Sequence, residues 1–190
     1  MSFAMLITMV LGFALTVSVA VSIGLAAVTG LVYDGAPMLL FAPEGDFTLV
    51  ARLDAKLVNV YDVAALVLYV DEANWAKLCF EFSAEKEATV VSVITHGVSD
   101  DCNSEVIPAG DHVYYAICRK GAEYSFHWSR DGEKWRMVRH FRFESATPVR
   151  VGFAVHTPSS AGVRGRFSEI RYWKAAPGYM RWLDLSKLPQ

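Results

Sequence analysis

From Leu11 to Gly24 the chain sorts its side chains by parity. Odd positions read Leu11, Phe13, Leu15, Val17, Val19, Val21 and Ile23; even positions read Gly12, Ala14, Thr16, Ser18, Ala20, Ser22 and Gly24. A period of two is how a strand presents its two faces. The β-branched residues Thr16, Val17, Val19, Val21 and Ile23 favour the same conformation. The assignment matters because the first charged residue is Asp34. A membrane helix needs about 20 apolar residues, and this segment is long enough. A secretory signal wants a basic start, and residues 1–33 contain no Lys or Arg. A lipid-facing helix has no reason to separate large from small side chains by parity, so residues 1–30 are read as strands. Met1 to Val10 is apolar without such sorting, and the alternative for residues 1–30 is a signal or membrane anchor, which would make the protein secreted or membrane-anchored.

After Val28-Thr29-Gly30 the pattern becomes short apolar runs broken by turns. The runs are Met38–Phe41, Phe47–Leu53, Ala64–Val70, Ala76–Phe82, Thr89–Thr95, Val113–Cys118, Glu123–Ser129, Arg136–Phe143, Arg150–His156 and Gly165–Tyr172. Their spacing of roughly 8–12 residues is that of an all-β sandwich or barrel. Asp34-Gly35, Pro43-Glu44-Gly45-Asp46 and above all Asp131-Gly132 supply the turns, since Asp-Gly tolerates the positive φ of tight hairpins. Helix has room only at Asp71–Ala76 and in the tail Pro177–Leu188. At 190 residues the economical organisation is one domain over residues 1–175 with a tail over 176–190. A hydrophobic content of 53% excludes a disordered chain. The net charge of -2 gives no argument for nucleic acid. Cys79, Cys102 and Cys118 lack CxxC spacing, which excludes a disulfide scaffold and a cysteine-built zinc site. Charge is uneven: residues 1–118 carry 4 basic and 14 acidic side chains, residues 119–190 carry 14 and 6. We favour neutralisation between neighbouring strands over a basic patch for an anionic partner, because the cations alternate with core aromatics.

Parity also proposes a site. Leu78, Phe80 and Phe82 take one face of their strand, and Trp75, Lys77, Cys79 and Glu81 the other. His127 and His156 stand on the faces opposite Phe126 and Val155. If these strands share a sheet, Lys77, Glu81, His127, His156 and Arg139 converge on one surface. Aromatic side chains with convergent polar groups in a shallow groove can hold a sugar or small polar ligand. The alternative is a solvated face whose Lys–Glu pair contributes about 0–1 kcal/mol. Ser99-Asp100-Asp101-Cys102-Asn103-Ser104 reads as a loop with oxygen donors of the type calcium takes, but without EF-hand spacing, and ordinary turn chemistry is favoured. His96, His112, His127, His140 and His156 form no HxH or HExxH pair, so no metal site is indicated. There is no GxSxG and no phosphate-binding glycine loop, so neither of those sites nor a cofactor is implied. Glu81 stands alone on its strand, which counts against a two-carboxylate glycosidase.

Several segments together resemble a known family. They are Asp34–Phe41, Pro43–Phe47, Trp75–Glu81, Val90–Val93 with Thr95, Ser99–Ser104, Phe126–Ser129 with Asp131-Gly132 and Trp135, and Arg150–Phe153. The chain resembles a domain-of-unknown-function family described as "regulation of enolase protein, concanavalin A-like lectin/glucanase", from about Phe13 to Tyr172. The resemblance implies an antiparallel two-sheet jelly-roll sandwich, a cytoplasmic location and no established reaction. By matching position it carries over Lys77, Glu81, Thr95 and His127 as groove residues without a catalytic role. Ala20–Val28 is aliphatic where the family carries polar and aromatic residues. The expectation is therefore a non-catalytic, lectin-like sandwich. Trp75, Lys77, Glu81, Thr95, His127, Arg139 and His156 would bind a carbohydrate or small polar ligand on a concave sheet. Two alternatives stand beside it. One is a glucanase-like hydrolase with Glu81 and Asp100 or Asp101. The other is a module that binds and regulates a sugar-metabolism enzyme.

Overall fold

A computed structural model describes residues 6–10, 14–19, 25–26, 32–33, 37–108, 112–158 and 162–189. The parts of the 1–30 strand expectation that fall on residues 1–5, 11–13, 20–24 and 27–30, and the Asp34-Gly35 turn, lie outside the described residues. The strands, in chain order, are β1 (Leu6–Val10), β2 (Ala14–Val19), β3 (Leu25–Ala26), β4 (Val32–Tyr33), β5 (Met38–Phe41), β6 (Phe47–Ala55), β7 (Val63–Asp71) and β8 (Asn74–Phe82). They continue with β9 (Ala88–His96), β10 (Val98–Val106), β11 (His112–Lys120), β12 (Glu123–Ser129), β13 (Trp135–Arg142), β14 (Arg150–His156) and β15 (Val163–Trp173). One short 3-10 turn, Leu185–Lys187, lies in the tail, and Asp71–Ala76 holds the β7–β8 hairpin turn in place of a helical one. Among the described residues no helix is long and apolar enough to cross a membrane.

The strands form two antiparallel sheets. One has the order β1-β2-β15-β6-β11-β12-β13, the other β10-β9-β8-β7-β14-β5, and β3 pairs with β4 alone. Parity produces the sandwich: Leu49, Leu53, Tyr115, Ile117, Phe126 and Phe167 of the first sheet pack on Leu66, Leu68, Leu78, Phe80, Val90 and Phe153 of the second. The Tyr115 hydroxyl crosses this core to donate to the Cys79 carbonyl at 2.6 Å, which satisfies a fully buried phenol. At the open edge the sheets are joined by charge. Arg136 donates to Glu105 at 2.6 Å and Arg139 to Asp100 at 3.3 Å, both from β13 to β10.

β10 corrects the sequence reading of 99–104 as a loop. Its residues pair with β9, Asp100 with Ile94 and Asp101 with Val93. Ile94 packs against the core and Val93 belongs to the outer cluster, so the two carboxylates leave the strand on opposite sides. They cannot both face one ion. Among the described residues no group of three His, Cys, Asp or Glu could hold a metal.

Candidate functional site

The side of the six-stranded sheet away from the core can be laid out by register. One row runs Leu40, Gly152, Val67, Lys77, Val93, Asp101; the next runs Met38, Ala154, Ala65, Cys79, Val91, Asn103. A third holds His156, Val63, Glu81 and Thr89, and Trp75 pairs with Thr95, which pairs with Ser99. Five of the predicted residues, Trp75, Lys77, Glu81, Thr95 and His156, therefore share one face. Their floor is apolar: Val63, Ala65, Val67, Cys79, Val91, Val93 and Ala154 form one buried cluster, with Met38, Leu40 and Trp75 packed against it.

The polar groups set in this floor are deeply placed. Lys77 is 4% exposed, Glu81 9% and His156 4%. Lys77 Nζ lies 3.4 Å from His156 Nε2. An ammonium can only donate, so Nε2 accepts and the imidazole proton sits on Nδ1. Burial, with the Lys77 charge added to it, holds the His156 imidazolium well below its ordinary range, so the ring is neutral at pH 7. Burial raises the Glu81 carboxyl while Lys77 lowers it and Asp101 raises it further. The Asp101 carboxyl is likewise raised by burial and lowered by Lys77. Lys77 thus acts electrostatically on both carboxylates, although no described carboxylate lies within ion-pair distance of it. Its ammonium also lies 5.7 Å from the centre of the Trp75 ring. Between Lys77 and Glu81 the Cys79 thiol is pushed up to about 12 by burial, which leaves it inert. The Thr95 and Ser99 hydroxyls are joined at 2.9 Å.

His127 and Arg139 do not join this group, because their strands belong to the other sheet. His127, on β12, faces outward from the seven-stranded sheet beneath the tail. There Met180 and Leu183 cover Val50, Ala116 and Cys118, with Trp135, Trp173 and Leu185 packed around them. Its Nε2 lies 3.2 Å from the Met180 carbonyl, which only accepts, and 2.9 Å from Ser125 Oγ. Nδ1 is then a buried acceptor without a hydrogen-bond partner. Burial lowers this imidazole to about 4. Arg139 turns toward the sandwich edge and Asp100. The sequence reading named Asp101 only as a hydrolase partner of Glu81 or an oxygen donor in a loop, and did not place Ser99 beside Thr95; both enter the face because β10 is a strand. The signal available for it was the hydrophobic residue at each end, Val98 and Val106, enclosing a run long enough to pair back on β9.

The family model "Protein of unknown function (DUF1349)" matches residues 26–175. The chain belongs to this family. It is similar to the Saccharomyces cerevisiae protein "Regulation of enolase protein 1", 26% identical over 123 residues, which are 65% of this chain and 62% of that protein. Among solved structures, a functionally unknown protein from Saccharomyces cerevisiae superposes with a TM-score of 0.77 at 21% identity, covering 92% of this chain and 96% of that one. A Bacillus halodurans xylan β-1,4-xylosidase gives 0.68 at 18%, over 83% of this DUF1349 chain and 32% of the enzyme. The Bacillus subtilis carbohydrate-binding module CBM66 gives 0.51 at 12%, over 90% and 91%. At these identities the structural likenesses establish the β-sandwich fold alone.

Proposed function

We propose that this DUF1349 protein is a lectin-like sandwich that binds a carbohydrate or small polar ligand on the outer face of the six-stranded sheet, without catalysis. The observation that carries the reading is Lys77: a buried ammonium on an apolar floor, bonded to a neutral imidazole and flanked by two raised carboxyl groups. Removing a charge from water costs several kcal/mol, and such groups concentrate where they have a task. An apolar floor with few convergent polar groups is also the usual make-up of a small-molecule site. In this reading Trp75 offers a stacking face at the rim and exposed Asp101 marks the way in, with Lys77, Glu81 and His156 hydrogen-bonding hydroxyls behind them. A carbohydrate-binding module and a xylosidase among the structural neighbours support the same ligand class. A glycan array followed by calorimetry tests it. Saturable binding lost in Glu81→Ala and Lys77→Met, with unchanged thermal melting, supports the reading; silence across the array from a folded protein defeats it.

A second reading, a module that binds a metabolic enzyme, draws on the name of the yeast relative and on the exposed Tyr179 and Trp182 of the tail. It predicts co-purification with a metabolic enzyme that Trp182→Ala abolishes and Glu81→Ala leaves intact. The hydrolase reading requires two carboxylates about 5–9.5 Å apart across a cleft. Asp100, turned to the opposite side of β10, is removed from it, leaving Glu81 with Asp101.

A further inference from the structure

The outer face of the seven-stranded sheet is covered by the tail over only part of its extent. Beyond the tail, where β6 ends and β15 begins, lies a cleft of about 670 Å³ whose lining includes Asp54, Lys56, Asn59, Asp62, Arg164 and Arg166. We propose that this cleft is an anion site taking the phosphate group of a sugar-sized phosphate ester.

The strand geometry aims the cations. Gly165 sits where β15 presses on the other sheet: a Cβ there would lie 2.9 Å from Val155 Cγ2 and 3.2 Å from Ala64 Cβ. With Gly165 facing inward, Arg164 and Arg166 on either side of it face outward together. The Lys56 amide donates to the Arg164 carbonyl at 3.4 Å, which holds the loop carrying Lys56 alongside. Two carboxylates also line the cleft, and both are engaged. Asp54 accepts from Arg52 Nε and Nη2 at 3.0 and 2.9 Å. Asp62 accepts from the amides of Val58 and Asn59 at 3.0 and 2.8 Å.

Lys56, Arg164 and Arg166 have no carboxylate within ion-pair distance among the described residues. Arg136, Arg139 and Arg142 on β13 differ, for each meets Glu105, Asp100 or Glu144. The result is an excess of positive charge in a concavity, with two guanidinium forks whose planar donors match a tetrahedral oxyanion in pairs. The cleft is far larger than one phosphate ion and falls in the range of small-molecule sites. It therefore accommodates the group that carries the phosphate as well.

Calorimetry at low ionic strength tests the site with three probes: inorganic phosphate, a hexose monophosphate and the unphosphorylated hexose. The hexose monophosphate is expected to bind saturably, more tightly than phosphate, and to weaken as salt is added. Arg164→Gln/Arg166→Gln is expected to lose about tenfold or more in affinity with an unchanged melting temperature. Glu81→Gln, on the other sheet, is expected to leave this binding as it is, so this site and the one on the six-stranded sheet fail or stand separately. Equal affinity for phosphate and its ester overturns the sugar-sized occupant. Absence of saturable binding, or affinity unchanged in the double variant, overturns the anion site.

Discussion

The two sheets of this sandwich treat their outer faces in opposite ways. The seven-stranded sheet lays its own tail over an apolar patch, and the His127 imidazole beneath is neutral and bonded to the tail's backbone. The six-stranded sheet sets Lys77, Glu81 and His156 into an equally apolar floor, where burial works against the charged forms of Glu81 and His156. A patch built only for stability resembles the tail-covered part of the first, since burying apolar groups stabilises by about 25 cal/mol per Å² and leaves no charge to solvate. The second keeps groups that an apolar side chain of similar volume would match or exceed in stability. That difference is the reason for proposing the carbohydrate site on the six-stranded sheet.

The harshest way to break this comparison is to lift an edge of the six-stranded sheet. Gly152 on β14 lies in the same row as Lys77, and a Cβ there would overlap the carbonyl oxygen of Leu39 on β5. Backbone cannot give way as a flexible side chain does. Gly152→Ala is expected to cost about 3 kcal/mol or more, measured by urea unfolding. A loss below about 1 kcal/mol would mean that β5 is not held against this face.

Acid separates the two faces next. His127 in the folded protein takes its proton only near pH 4, against an ordinary value of 6.5. As pH falls between those values the unfolded chain binds more protons than the folded one, so stability declines with acid. The loss approaches about 3 kcal/mol by pH 4. Glu81 has the opposite sign. Its raised folded value means that stability is full below the ordinary 4.5 and declines as pH rises through the folded one. Urea midpoints across pH 4–7 are expected to be flatter with pH in His127→Gln and steeper in Glu81→Gln than in the parent protein. Equal slopes in all three would remove the claim that these groups are desolvated.

Lys77→Met sharpens the comparison with a smaller effect on stability. Methionine fills similar volume and removes a buried charge, while His156 Nε2 loses its donor. The two contributions oppose each other, so the change is expected to stay within about 1 kcal/mol. If Lys77 is kept for a ligand, the variant melts like the parent and no longer binds. A loss of several kcal/mol would make Lys77 a structural residue.

Much of this was legible in advance, and what was not had physical reasons. Parity placed the ends of β5, β12 and β14 and correctly put Trp75, Lys77 and Glu81 on one face, because the period of two is a local property of each strand. It could not say which sheet a strand joins. That depends on where the chain crosses over: β12 falls beside β11 and β13 beside β12, while β14 falls beside β7. His127 was therefore grouped with Lys77 although it faces outward from the other sheet. β10 was hidden for a different reason. An edge strand with Asp100, Asp101, Cys102, Asn103 and Ser104 exposed has the composition of a loop, and only its pairing with β9 distinguishes it.

The smallest expected effect lies at that same edge. Arg136 and Glu105 make a 2.6 Å bridge between the sheets, yet their side chains are 68% and 43% exposed. In water two such charges gain little from each other, and ordering their long side chains offsets most of it. Arg136→Gln is expected to change stability by no more than about 0.5 kcal/mol, and less at high salt. The guanidinium also lies 5.9 Å from the centre of the Trp128 ring, a contact of the same modest size at an exposed site. A double-mutant cycle with Glu105→Gln isolates the pair. A coupling above about 1 kcal/mol would make this edge a clasp, and the sandwich would then owe its closure to charge as well as to the core. A coupling near zero leaves Leu66, Phe80, Tyr115 and Phe126 to hold the layers together, with the charges setting only which edge meets which.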